Sequence, residues 1–146
     1  MSPAPTSPVP WWAGRPGVFQ LSGAASQEAV VAAAASAGIA VYVLPPVGSK
    51  AEFLESLAAT LRFPGWSGRN WDAAADLLGD LSWLPNTPWV LVWVDAGRLK
   101  AADPGAYGVA RGILDEAAAA RRLTVLLVEA PRRGRSGVDT RRRAPI

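Results

Sequence analysis

Apolar and polar positions alternate with different periods along the chain, and the changes of period mark out its elements. Three runs, Ile39 to Leu44, Trp89 to Val94 and Leu123 to Val128, are apolar at nearly every position and rich in β-branched residues. Pro45-Pro46 ends the first, and Pro85-Asn86-Thr87-Pro88 precedes the second. Short runs of this kind predict strands buried on both faces. Between them the period becomes helical. From Ser49 to Leu61 the residues Phe53, Leu54, Leu57, Ala58 and Leu61 share one face, and Ser49 with Glu52 makes a capping-box pattern. Pro64 stops that helix. A second helix, Trp71 to Leu81, sets Trp71, Ala74, Leu78 and Leu81 on one side and Asp72, Asp76 and Asp80 on the other. Asp103-Pro104 opens a third, which runs to about Arg121. Apolar strands separated by helices predict a three-stranded parallel sheet with right-handed crossovers, packed with helices in an α/β domain.

Ahead of this core, Gly17 to Leu21 is compatible with a short strand. Ser26 to Ala37 reads as an alanine-rich helix with Ser26 as N-cap and Gly38 as its stop. Residues 1–16 hold five prolines and are expected to form an extended, poorly ordered arm. Trp11 and Trp12 within it are too costly to leave in water and are expected to dock on the body. From Pro131 the chain is Gly- and Arg-rich and is expected to be disordered. The division is thus an arm over 1–16, a domain over 17–130 with its core at 39–128 and an added segment at 17–38, and a basic tail over 131–146. There is no internal repeat.

Composition narrows the chemistry. Half of the 146 residues are apolar, enough for a real core. The absence of cysteine excludes disulfides and thiolate catalysis, and the absence of histidine excludes Ser-His-Asp and Cys-His arrangements. No cofactor or metal is expected. The net charge of +3 conceals a division: residues 132–146 hold six arginines against one aspartate, while residues 1–131 hold nine Lys and Arg against eleven Asp and Glu. A mildly acidic body argues against a nucleic-acid-binding face. No apolar run approaches the roughly 18 residues that span a bilayer, and Met1 to Pro10 lacks a signal-peptide pattern, so a cytoplasmic protein without membrane contact is expected.

The most informative stretch is Phe63 to Leu81, a Pro/Gly/aromatic loop leading into the helix that carries Asp72, Asp76 and Asp80 at i, i+4 and i+8. No Lys or Arg within that helix offsets the row, although like charges at this spacing cost a few tenths of a kcal/mol per pair. Asp72 has a structural explanation in the helix dipole. Asp76 and Asp80, toward the negative end, do not. The row is suited to meeting something positive.

These residues are similar to the barstar family, small intracellular inhibitors of barnase-type microbial ribonucleases. Phe63-Pro64, Trp66, Gly68-x-Asn70-Trp71-Asp72-Ala73, Asp76 and Leu78 carry the resemblance, which covers about Ile39 to Val128. It implies a one-to-one complex with a basic extracellular or toxin ribonuclease, and no catalysis by this chain. It also implies that Asp76 mimics an RNA phosphate, that Asp72 meets basic residues at the rim and that Trp66 stacks near the catalytic group. Gly79 takes a close-approach position, and Glu116 makes a further acidic contact. Asn70 and Gly68 belong to the motif, with N-cap and backbone roles as their structural reading. The chain departs from the family at Ala75, where an aromatic is usual, and at Ala120, where an acid is usual. Asp80 has no acidic counterpart there. Two other classes are weighed. Three aspartates invite a magnesium-dependent phosphoryl-transfer or receiver-like protein, but they lie on one helix rather than at strand ends. The arginine tail invites a nucleic-acid module, against which a solvated end without a specific nucleic-acid partner is the simpler reading.

Overall fold

The computed structural model describes residues 10–21 and 27–130. Its elements are β1 (Gly17–Gln20), α1 (Gln27–Ser36), β2 (Ala40–Leu44), α2 (Lys50–Thr60), α3 (Trp71–Asp80), β3 (Trp89–Val94), α4 (Ala96–Ala102), α5 (Pro104–Arg121) and β4 (Thr124–Val128). The three expected core strands form within a residue of their expected bounds. The short N-terminal strand also forms and makes the sheet four-stranded, in the order β1-β4-β3-β2, all parallel.

Residues of successive parity on the central strands face opposite ways and build two cores. Leu91, Trp93, Val125 and Leu127 pack with apolar residues of α2, α3, α4 and α5. Val90, Val92, Val94, Leu126 and Val128 pack with Val30 and Ala34 of α1 and with Trp12. Helices thus cover both faces, which is why β3 and β4 read as unbroken apolar runs.

The β2 strand departs from the expectation of burial on both faces. It is an edge strand paired only to β3, and of its five residues only Leu44 is buried. An apolar run signals an apolar strand but not its place in the sheet. A helix that the sequence reading did not contain, α4, follows β3. Asp95 turns the chain in the left-handed region (φ 56°) while its N–H donates to Val128 O at 2.8 Å. The seven residues after it bury Ala96 and Leu99, too short a stretch to display a period.

Helix ends follow their sequence signals. Ser49 Oγ accepts from the Glu52 N–H at 3.1 Å, but Glu52 Oε1 accepts from the Gly48 N–H at 2.7 Å, one residue ahead of the usual capping-box donor. Asp103 Oδ1 accepts from the Ala106 N–H at 3.1 Å, with Pro104 in the first turn of α5.

Of the expected N-terminal arm, residues 10–16 form a turn against the α1 side of the sheet. Trp12 is 4% exposed there, whereas Trp11 is 54% exposed and meets Phe19 edge-on at 5.3 Å. The Thr124 hydroxyl donates to Arg15 O at 2.6 Å and fastens the turn to β4. The rest of the arm, the Ser26 cap and the basic tail lie outside the described residues. Trp12→Ala is expected to lower stability by about 3 kcal/mol, and Trp11→Ala by less than about 1 kcal/mol. Urea unfolding of the two variants measures both, and equal losses would contradict the docking of Trp12.

Candidate functional site

The loop between α2 and α3 is tied down at both ends. Arg62 takes a left-handed conformation (φ 58°) after α2, and the Phe63 N–H returns to Ala58 O at 2.9 Å. Phe63 meets Trp83 edge-on at 6.0 Å, and the Trp83 indole N–H donates to Leu61 O at 2.9 Å. Pro64 O accepts from both the N–H and the hydroxyl of Ser67, at 3.0 and 2.7 Å. Arg69 donates to Ser67 O and Oγ through Nη1, and to Glu55 Oε1 at 2.6 Å through Nε. That ion pair is largely exposed, so its contribution to stability is small. Its effect is geometric: it draws the cation nearest the start of α3 toward α2. The sequence reading missed it because Glu55 lies fourteen residues back on another element.

At the tip of this loop Trp66 is 80% exposed. An indole left in water forgoes on the order of 2 kcal/mol of burial free energy. Gly68 does not have a positive φ, contrary to a purely conformational role. It provides room, since a Cβ there would lie 2.7 Å from Asn70 Nδ2. Asn70 cannot yield that space freely because its Oδ1 accepts from the Ala73 N–H at 2.8 Å, the N-cap of α3.

The helix α3 has an inner and an outer side. Ala74, Leu77 and Leu78 are buried. Trp71 is half-buried against Phe53, 5.9 Å away between ring centroids, with Lys50 Nζ 5.5 Å from its ring. The outer stripe is Asp72, Ala75, Asp76, Gly79 and Asp80, all exposed. Among the described residues none of these three carboxylates forms an ion pair or a side-chain hydrogen bond. Leu81, left-handed at φ 48°, ends the helix. A Cβ on Gly79 would meet nothing within 4 Å among the described residues, so no contact with them requires glycine there. With Ala75 it leaves the backbone between the carboxylates open to close approach.

The structure therefore brings Trp66, Gly68, Asn70, Asp72, Asp76, Gly79 and Asp80 onto one continuous loop–helix surface. Glu116 stands apart on α5, the helix packed beside α3. It is exposed and has no ion pair among the described residues, while its neighbour Asp115 lies 4.0 Å from Arg111. No cluster of three or more potential ligands able to hold a metal ion occurs among the described residues.

Asn70→Ala is expected to cost about 1 kcal/mol through loss of the cap, and Gly68→Ala a comparable amount by displacing the same side chain. Gly79→Ala, in an open helical position, is expected to stabilise the free protein by up to about 1 kcal/mol. Chemical unfolding of the three variants tests this; destabilisation by Gly79→Ala would mean that the glycine has an internal role.

Comparison with known proteins bears on this surface. The family model described as Barstar (barnase inhibitor) matches residues 40–130, from the first residue of β2 to just past β4. No curated protein matches the chain. Among solved structures, a chain in a structure of Drosophila ORC bound to DNA is similar at 15% identity and a TM-score of 0.45. That alignment covers 80% of this chain and 67% of the other. A likeness that weak bears on neither partner nor activity.

Proposed function

The chain belongs to the barstar family, and on that premise we propose that it inhibits a barnase-type ribonuclease. It binds the enzyme one-to-one through the segment from Trp66 to Asp80 and has no catalytic activity of its own. The observation that carries this reading is a tied loop that holds Trp66 80% exposed beside a helix whose outer stripe is three carboxylates without partners. Asp72 suits the positive end of the helix dipole, but the exposed indole and the carboxylates of Asp76 and Asp80 do not serve the fold. Loop tip and stripe both serve the recognition of a cleft that is basic because it must hold a phosphodiester.

In this reading Asp76, midway along the stripe, enters the phosphate position and accepts hydrogen bonds from the enzyme's cations. Asp72 and Asp80 flank it and meet the rim. Ala75 and Gly79 let the helix backbone come close, and Trp66 buries its ring against the partner. The tied loop limits what must be ordered on binding, which favours affinity. Glu116 adds a contact from α5 where the partner extends past α3. The acidic stripe speeds the encounter with a basic enzyme, a behaviour for which the barnase–barstar pair is itself the familiar example.

Stoichiometric loss of ribonuclease activity on titration with the full chain tests the proposal. Asp76→Ala is expected to weaken binding by at least ~30-fold, or about 2 kcal/mol. Asp80→Ala is expected to slow association at low ionic strength and to have little effect at high salt. An Asp76→Ala variant that inhibits as well as wild type would remove the phosphate-mimic assignment. Failure to inhibit any barnase-type ribonuclease would remove the proposed function.

A further inference from the structure

A second surface lies just beyond the carboxyl end of α3, where the amino ends of β3 and β4 meet the end of α5. Two cavities open there, of about 320 Å³ and about 210 Å³. Both are lined by Thr87, Trp89, Arg121 and Leu123, so the two adjoin across these residues at the sheet end and are taken together as one groove. Leu81, Ser82 and Asn86 complete one side, and Arg122 and Thr124 the other. Arg121 and Arg122 are exposed, and neither forms an ion pair among the described residues.

From this groove we infer a binding site for a small phosphate ester of nucleotide size, such as a nucleoside monophosphate. The guanidinium groups of Arg121 and Arg122 supply planar, paired donors suited to phosphate oxygens. Leu81, Leu123 and the half-buried Trp89 offer an apolar wall for a base, and Ser82, Asn86 and Thr87 offer donors and acceptors for a sugar or a base edge. The larger cavity stands at the lower end of the volumes usual for small-ligand sites.

The helix ends sharpen the inference. The last turn of α5 lies at this groove, with the Arg122 N–H donating to Ala118 O. A helix C-terminus presents carbonyls and a negative dipole end, so the backbone cannot hold an anion here as a helix N-terminus can. Cations at this helix end also favour the dipole, and both Arg121 and Arg122 line the smaller cavity. The phosphate is held by side chains alone, and loss of either arginine must show. This inference is independent of the proposed inhibition, because the groove shares none of the residues assigned to it.

The test is a nuclear magnetic resonance titration of the full-length chain with adenosine 5′-monophosphate and, separately, with inorganic phosphate. Saturable shifts are expected at the Thr87 and Leu123 amides and at the Trp89 indole N–H. Arg121→Gln and Arg122→Asn are each expected to weaken binding about tenfold or more. Asparagine is chosen at 122 because it tolerates the left-handed backbone, φ 57°. Asp76→Ala is expected to bind the nucleotide as wild type does. No saturable shift with the nucleotide, shifts confined to another surface, or wild-type binding by both folded arginine variants would overturn the inference. Inorganic phosphate binding as tightly as the nucleotide would overturn the nucleotide assignment.

Discussion

The structure depends on one pair of strands that must be dry on both sides. All ten residues of β3 and β4 other than Trp89 are buried, and their side chains alternate between two cores. Parallel strands of this composition are stable only if helices cover each face. One face receives α2 to α5. The other receives α1 and Trp12, which belong to a segment ahead of the residues that the family model matches. The added β1 pairs along β4 and gives it a second neighbour, so β4 is not an edge. The N-terminal segment is thus part of how the central pair stays buried.

With the sheet secured, α3 can be specialised. Its inner side contributes Ala74 and Leu78 to the core, while Leu77 is buried beside them. Its outer side then bears charges that repel one another by a few tenths of a kcal/mol each, far less than its packing returns. The same division holds in the loop before it. Hydrogen bonds from Ser67 and Arg69 fix the backbone, and the residue at the tip, Trp66, makes the outward-facing surface. Places where local preference is set aside while the surrounding structure stays consistent are where function is expected.

Much of this was legible in the sequence because the signals were local. The bounds of β3 follow from an apolar run between Pro88 and Asp95, the start of α2 from Ser49 and Glu52, and the start of α3 from Asn70. The acidic stripe follows from spacing alone. What escaped was decided by tertiary position. Nothing within Ala40–Leu44 says that it lies at an edge and remains half-wet. The four residues of β1 give no indication that they pair with β4 rather than β2. The helix α4 is too short for a period, and its start depends on an uncommon left-handed conformation at Asp95. The Arg69–Glu55 contact joins two elements whose approach no linear pattern encodes. At Gly68 the reading named the residue but not its cause, which is the space taken by the Asn70 side chain.

The pairing of β1 with β4 also bears on the order in which the chain assembles. Gly17 lies beside Thr124, whereas β2 joins β3 and β3 joins β4 across much shorter stretches of chain. Closing the longer loop costs more conformational entropy before any contact repays it. The matched core is therefore placed to condense first, with its later strand briefly open along one edge. The first residues of the domain to be synthesised are then among the last to find their place, and they complete the fold as a clasp would, after the body it holds has formed.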